Sequence, residues 1–347
     1  MKNIIYSLVG TTLLSTLLLA EEKPSFHGEL RLGAVQTNSD TTSKATTIAL
    51  GGSLFVEKAW QENWGTNFTL FSTNALGNQN EEGLFLGSHN QSYSIISEAY
   101  LWFKTEENQL KIGRQFIETP FVNSDDIGMV PNSYRAITLE NHTFAQTTLT
   151  LLSLDKYAGV DSDIPERFTF AQASQEPLYA IGLLYEGIAQ STIQLWSYRF
   201  SHQTLSYFEA NYTDNGLSYA LQYSYQGDGN SAYGLQFSKE WESLSLTTSY
   251  NSVNGLVGNG LGGGAFFTSS EDHTIADTQD QKALHFGAEY SYNNLTLGAS
   301  YTDFDKGENE TDLSLMLQLT QETSFTLIYS DMEDDGTLTR FFAQYNF

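Results

Sequence analysis

The last residues of the chain alternate strictly between two kinds of side chain, and this alternation constrains the fold more than any other feature. Taken in steps of two, one set is apolar and aromatic: Phe347, Tyr345, Ala343 and Phe341. The interleaved set is mostly polar and carries a charge: Asn346, Gln344, Phe342 and Arg340. Successive side chains of a β-strand point to opposite faces, so this segment is predicted to be a strand with one apolar face. In a closed membrane barrel, lipid covers such a face.

The same alternation recurs along the whole chain, as in residues 217–225, 284–291 and 313–320. It predicts an all-β fold, a transmembrane antiparallel β-barrel of about 18 strands. Aromatic residues make up 14% of the sequence, which suits the aromatic girdles of such barrels. The predicted strand starts are Ser25, Lys44, Trp64, Ser92, Asn108, Tyr134, Phe144, Leu178, Gln190, Gln203, Gly216, Ser231, Ser243, Ala283, Asn294, Thr311, Thr323 and Thr337.

The predicted connections alternate between short turns and long loops. Membrane barrels have short periplasmic turns and longer outer loops, so this alternation favours a barrel over a soluble β-sandwich. The short turns are expected at 61–63, 106–107, 141–142, 186–188, 214–215, 240–242, 293 and 321–322. The long loops are expected at 75–91, 115–133, 155–177, 253–282 and 303–310.

The first 20 residues have the pattern of a secretory signal peptide. Lys2 precedes a mixed apolar run that ends at Ala20, and Glu21 and Glu22 follow. We therefore expect a signal peptide over residues 1–20 and a single barrel domain over residues 21–347, in a bacterial outer membrane. A terminal aromatic residue such as Phe347 also resembles the signal by which bacterial barrel-assembly machinery recognises its substrates.

Composition excludes several classes of function. The chain has no Cys, which excludes thiolate metal sites and cysteine nucleophiles. A net charge of −25 argues against nucleic-acid binding and favours the attraction of cations. No hydrolase motif accompanies the scattered histidines, so an enzyme is not expected. A barrel hydrolase would have to use His285, the histidine that lies well within a predicted strand.

The segment from Lys111 to Arg135 is the most distinctive part of the sequence. A strand ending in Gly-Arg-Gln gives way to a loop that contains two prolines and the adjacent acids Asp125 and Asp126. Folded into the lumen, this loop would narrow the pore and place the two acids opposite cations of the wall, where their field would select solutes by charge. Alternatively, the same residues form a turn in an exposed loop, because Asn, Ser and Asp are common turn residues.

The segment resembles the OprD-type outer-membrane porins, in particular those of epsilonproteobacterial type. The resemblance rests on residues 113–115, 119–120, 123–126 and 129–132, together with strand number, signal peptide and terminal Phe. It implies an 18-stranded barrel whose third outer loop forms the constriction. It also implies passage of small nutrients, often cationic or bearing a carboxylate. Where members often have an Arg after the acidic pair, this chain has Gly128.

The inward-folded loop and the alternation of side chains along the strands predict the site residues. The predicted channel constriction consists of Asp125, Asp126, Arg114 and Glu118, although Arg114 could instead pair with Glu118 and pin the loop. Strand parity predicts these lumen-wall residues: Arg31, Glu98, Lys111, Glu209, His285, Glu289 and Arg340. Three residues of the last strand are assigned to the membrane interface and to assembly: Phe341, Tyr345 and Phe347.

The leading functional hypothesis is a porin that lets small hydrophilic solutes diffuse passively and prefers cations. The alternative is a surface adhesin or structural barrel with a plugged lumen. No cofactor and no metal site are expected, apart from weak Ca²⁺ bridging at the acidic outer loops. The expected partners are membrane lipid, lipopolysaccharide, the assembly machinery and small solutes. Both a monomer and a homotrimer are compatible with the sequence.

Overall fold

The computed structural model describes residues 24–39, 42–77, 84–201 and 203–347, so the predicted signal peptide lies outside the described residues. Within them, no helix is both long and apolar enough to span a membrane. Two 3₁₀ helices are present, Ser88–Asn90 and Glu333–Asp335. The strands are β1 Ser25–Ser39, β2 Thr42–Gln61, β3 Trp64–Ala75, β4 Tyr93–Lys104, β5 Asn108–Gln115, β6 Ser133–Asn141, β7 Thr147–Ala158, β8 Thr169–Phe170, β9 Leu178–Tyr185, β10 Ser191–Phe200, β11 Gln203–Asp214, β12 Leu217–Tyr225, β13 Ser231–Glu240, β14 Leu244–Asn254, β15 Lys282–Tyr292, β16 Leu295–Phe304, β17 Glu310–Gln318, β18 Thr323–Asp331 and β19 Thr337–Asn346.

The strands form one closed antiparallel barrel. Each long strand pairs with its neighbour in the sequence, and β19 pairs with β1. The two-residue β8 pairs with β7 alone, while β7 pairs directly with β9. The described residues contain 19 strands, and all of them except β8 form the ring. The barrel therefore has 18 strands, which confirms the predicted fold class.

The predicted strand starts agree closely with the structure. The largest difference is at β7, which begins at Thr147 and not at Phe144. The intervening residues form a turn in which Gln146 has a left-handed φ of 57°. This turn belongs to the end of the barrel that has short connections, where β11 and β12 are joined by Asn215 and Gly216, both with positive φ. Two residues of this conformation suit the tight twist of a hairpin.

The first and last strands meet where the barrel closes. Phe347 exchanges two backbone hydrogen bonds of 2.9 Å with Gly28, which extends the ladder between β1 and β19 by one pair. The Phe347 ring lies against Gly28 so closely that a Cβ at Gly28 would collide with it. Closure removes the free edges that an open sheet would present.

The two faces of the wall differ as the alternation predicts. Large apolar side chains are exposed on the outer face, as at Leu30, Ile112, Leu235 and Leu313. The inner face is covered at one end by long loops, whose described residues are 76–77, 84–92, 116–132, 159–177 and 255–281. Two clusters of buried apolar side chains lie between these loops and the wall, and they form the core of the protein.

Candidate functional site

Residues 116–132, between β5 and β6, fold into the barrel; we call them the constriction loop. Its apolar residues Phe121, Val122 and Met129 are completely buried. The Phe121 ring packs edge-on against Tyr198 and Tyr207 of the wall, with ring centroids 5.8 and 5.5 Å away. Burial of these side chains holds the loop inside the barrel, which confirms that the fold includes an inward-folded loop.

Asp126 binds the wall residue Arg31. Two guanidinium nitrogens of Arg31 donate to the two carboxylate oxygens at 2.7 and 2.9 Å, and one of them also donates to the carbonyl of Gly128 at 2.8 Å. Glu29, two residues along β1, lies 3.2 Å from the same guanidinium. A bidentate pair of this kind fixes both distance and orientation. Arg31 thus anchors the constriction loop to β1.

Asp125 has a different environment from its neighbour. It adopts a left-handed φ of 37° and lies beside Gly263 and the carboxyl of Asp161. Burial, reinforced by the negative charge of Asp161, raises the pKa of Asp125 to about 7. Near neutral pH this carboxyl is therefore a proton-sharing partner of Asp161 more than a fixed negative charge.

The prediction that Arg114 belongs to the constriction is wrong, whereas Glu118 does lie in the constriction loop. Arg114 shares the outer face of β5 with Ile112, because the two are separated by two residues in a strand. Its guanidinium donates to the carbonyl of Ile96 at 3.0 Å and lies 4.4 Å from the centre of the Phe168 ring. It therefore belongs to the rim. The Glu118 carboxylate accepts a hydrogen bond from the backbone of Ser124 at 3.3 Å.

A second loop, residues 255–281, also enters the barrel; we call it the glycine-rich loop. Its Leu261 exchanges backbone hydrogen bonds with Phe121 and Asn123 of the constriction loop, at 2.9 and 3.0 Å. The hydroxyl of buried Tyr134 lies 2.6 Å from the carbonyl of Asn123 and 2.9 Å from that of Leu261. The two loops are thus joined to each other and to β6.

Charged groups fasten the glycine-rich loop on the far side of the lumen. Arg340 of β19, whose side chain is 1% exposed, donates to Glu271 at 2.7 Å and lies 3.7 Å from Asp272. The buried carboxylate of Glu310 accepts the backbone N–H groups of Asp272 and His273, at 3.0 and 2.7 Å. Both predicted wall arginines therefore hold loop carboxylates.

The other predicted wall residues lie on the inner face, at separate places. Glu98 accepts a hydrogen bond from Thr69 at 2.6 Å. The ammonium of Lys111 lies 5.5 Å from the centre of the Tyr100 ring. His285 hydrogen-bonds to Thr302 at 2.8 Å. Glu289 is exposed and lies on the face of β15 opposite to the outward-facing Phe286 and Tyr290.

A cavity of about 390 Å³ lies where the constriction loop faces β10 and β11. Glu209 lines it from the wall, where its carboxylate accepts hydrogen bonds from Tyr207 and, at 2.7 Å, from Asn211. Glu118 lines the same cavity from the loop. Among the described residues around it are two acids and no Lys or Arg: Glu118, Thr119, Pro120, Asn123, Gln194, Tyr207, Glu209, Gly264 and Ala265. The cavity thus has a negative lining.

In the described ranges, no group of three or more His, Asp or Glu side chains is arranged to hold a metal ion. Glu166 of an outer loop accepts a hydrogen bond from the backbone N–H of Ser88 at 3.1 Å. Weak Ca²⁺ bridging at these loops stays a prediction.

Sequence reasoning missed the glycine-rich loop as a second element of the constriction. Gly260 and Gly262 have positive φ and lie against the backbone of Phe121 and Asn123. A Cβ at either position would collide with that backbone. The available signal was a run of glycines in a loop that also carries Phe266 and Ile275, since a solvated loop has little use for such apolar side chains.

Comparison with known proteins agrees with this geometry. Residues 73–299 match the model of a family described as outer membrane porin, OprD family. The fold is similar to that of Acinetobacter baumannii OccAB3, with a TM-score of 0.80 and 14% identity over 93% of this chain and 99% of that one. Pseudomonas aeruginosa OccK8 (OprE) gives a TM-score of 0.79 at 15% identity, over 93% and 98% of the two chains. P. aeruginosa OpdK, solved with vanillate, gives 0.79 at 13% identity and the same coverage. No curated protein sequence matches the chain significantly.

Proposed function

Since this chain belongs to the OprD family of outer-membrane porins, we propose that it is a diffusion channel that prefers small hydrophilic cations over anions. Porins of this family reside in the bacterial outer membrane and let solutes diffuse through a β-barrel; they are not enzymes. The proposal therefore concerns selectivity, and with it the residues that a permeating solute meets.

The observation that carries the proposal is the charge around the 390 Å³ cavity. Glu118 and Glu209 line it from opposite elements, the constriction loop and β11. The wall arginines that could offset them, Arg31 and Arg340, are each bound to carboxylates of a loop. In a narrow passage with low-dielectric walls, uncompensated carboxylates raise the local concentration of cations and exclude anions.

Glu209 is suited to this role because its environment holds it in one orientation. Tyr207 and Asn211 donate to its two carboxylate oxygens, and Tyr207 itself is 2% exposed. A carboxylate that is fixed in this way presents its charge to the cavity without reorganisation when a cation enters. Glu118 is exposed and adds charge from the loop side.

The reversal potential of reconstituted channels in a salt gradient tests the proposal. Wild-type channels should be cation-selective, and Glu118→Gln with Glu209→Gln should move the reversal potential toward zero or to the anion side. Glu186→Gln, in an exposed turn at the opposite end, is the matched control and should change nothing. Anion selectivity of the wild type, or an unchanged potential in the double variant, would refute the proposal.

A barrel with a plugged lumen is the second candidate, because two loops and two apolar clusters fill part of the interior. It predicts no conductance from wild-type protein and a channel only after the loops are released. Association with lipopolysaccharide, recognition by the assembly machinery, and the choice between monomer and homotrimer stay predictions.

A further inference from the structure

A histidine, His273, lies at the far end of the glycine-rich loop, between carboxylates of two loops. His273 lies between two carboxylates: its Nδ1 is 3.8 Å from Asp277 of the same loop, and its Nε2 is 3.6 Å from Asp335 of the loop between β18 and β19. Nε2 is buried and has no hydrogen-bond partner among the described residues. An imidazole placed in this way forms ion pairs only when it is protonated.

The charges around His273 come from four elements. Its own loop carries acids, β17 contributes a buried carboxylate that accepts the His273 backbone N–H, and the loop before β19 contributes Asp335. The only permanent cation described in this group is Arg340 of β19. The acidic members are Glu271, Asp272, Asp277, Glu310, Asp312 and Asp335. With His273 neutral, one guanidinium faces six carboxyl groups.

The far end of the loop is coupled to the constriction through packing. Two residues after His273, Ile275 is completely buried in the apolar cluster that contains Phe121 and Phe266. Phe266 lies edge-on to Phe121, with ring centroids 5.8 Å apart. Because close-packed interiors transmit strain to neighbouring side chains, we expect release of the loop at His273 to reduce the support of Phe121 and thus of the constriction loop.

We propose that His273, with Asp277, Asp335 and Glu310, is a proton-controlled latch that holds the glycine-rich loop against the wall in acid and loosens it as the pH rises. The closed state is the one in which protonated His273 bridges its own loop to the loop before β19. The latch goes beyond cation preference, since it sets when the passage is narrow and not which solute enters it.

The direction of the pH effect follows from the linkage between protonation of His273 and docking of the loop. The nearby carboxylate of Asp277, aided by the charges of Asp335 and Asp272, raises the pKa of His273 above its ordinary value. A histidine with a raised pKa in the docked state stabilises docking fully below its ordinary pKa of about 6.5. That stabilisation is lost as the pH rises through the raised value. The channel should therefore be narrowest in mild acid and widen above neutrality.

Single-channel conductance across about pH 5 to pH 8 is the first test, over the range in which histidine titrates. Wild-type conductance should rise with pH. His273→Gln should give the high conductance already at about pH 5, and His273→Lys, which stays charged, should keep the low conductance up to about pH 8. His142→Gln, an exposed histidine in a turn at the other end, should behave like wild type. A wild-type conductance that does not change with pH, or the same pH response in His273→Gln, would overturn the latch.

A second test does not depend on conductance. The chain has no Cys, so Ile275→Cys provides a single reactive thiol, buried when the loop is docked. Its labelling by a maleimide should accelerate with pH, relative to the exposed reference Asp163→Cys, which corrects for thiolate formation. We expect an acceleration of about fivefold or more, the lower end of usual coupling energies.

The two tests separate the latch from the proposed function. Protein that forms no channel at any pH but shows pH-dependent labelling would refute the diffusion channel and support the latch. The latch would be refuted, even if the channel is cation-selective, by equal pH dependence of the labelling rates of Ile275→Cys and Asp163→Cys. This result would have to hold both with His273 present and with His273→Gln.

Discussion

Arg31 and Asp126 lie 95 residues apart in the sequence and form a bidentate ion pair inside the barrel. The pair joins the first strand to the centre of the constriction loop. The Arg31 side chain is 8% exposed and that of Asp126 49%, so the cation is the buried partner. A buried guanidinium is tolerated only when it is paired, and the carboxylate that pairs with it is supplied by the loop that narrows the lumen.

Asp126→Asn should both loosen the constriction loop and weaken cation selectivity. The substitution removes the charge from two hydrogen bonds that are worth about 1.5–3 kcal/mol each. It also frees the positive charge of Arg31 to act on solutes. We expect noisier, larger single-channel currents and a reversal potential shifted toward the anion side. Asp163→Asn, exposed in the outer loop 159–177, removes the same charge without an anchor. Equal shifts in the two variants would show that only net charge matters.

Asp125→Asn should have an effect that depends on pH, in contrast to Asp126→Asn. Because the pKa of Asp125 is raised to about 7, its carboxyl is protonated in mild acid and charged in mild alkali. Replacing it should leave the reversal potential unchanged near pH 5.5 and reduce cation selectivity near pH 8.5, where a charge is lost. The reversal potentials of Asp125→Asn and of wild type, measured at both pH values, test this prediction. The same shift at both values would place the pKa of Asp125 in its ordinary range.

Gly260→Ala should undock the glycine-rich loop. A Cβ at Gly260 would collide with the carbonyl of Phe121, and a positive φ costs a non-glycine residue about 1–3 kcal/mol. Gly229→Ala is the matched control, because Gly229 has φ +86° against +83° and no atom within 4 Å. We expect higher conductance and faster labelling of a thiol at Ile275 in Gly260→Ala alone. If both variants changed equally, backbone strain and not the contact would be responsible.

The barrel was predictable from the sequence because its wall obeys a local rule. In residues 217–225, for example, Leu and Tyr alternate with Ser, Ala and Gln, and the structure has β12 at Leu217–Tyr225. Lipid on one side and a polar lumen on the other impose period two on each strand. Strand starts, strand number and the closing pair then follow from counting. The turn before β7 was less predictable, since Phe144 continues the apolar pattern but lies in the turn.

The site was predictable only in part, because its contacts are made between loops. The placement of Asp126 opposite a wall cation follows from the acidic pair and from the parity of Arg31. The environment of Asp125 does not, since Asp161 belongs to another loop whose path no pattern gives. The prediction for Arg114 was wrong for a related reason. Its neighbours in the sequence suggested that it belongs to the loop, but its position in the strand directs its side chain outward. Likewise, nothing local to Glu271 or His273 indicates that they meet β19 and the loop before it.

The two loops are anchored on neighbouring strands of the wall, β1 and β19. Arg31 lies on the first strand and Arg340 on the last, and these strands are joined down to the pair of Gly28 with Phe347. A chain that stops before residue 337 lacks both the closing strand and the anchor of the glycine-rich loop. Closing the barrel therefore also brings the two anchors side by side, so that the same pair of strands seals the wall and holds both inner loops.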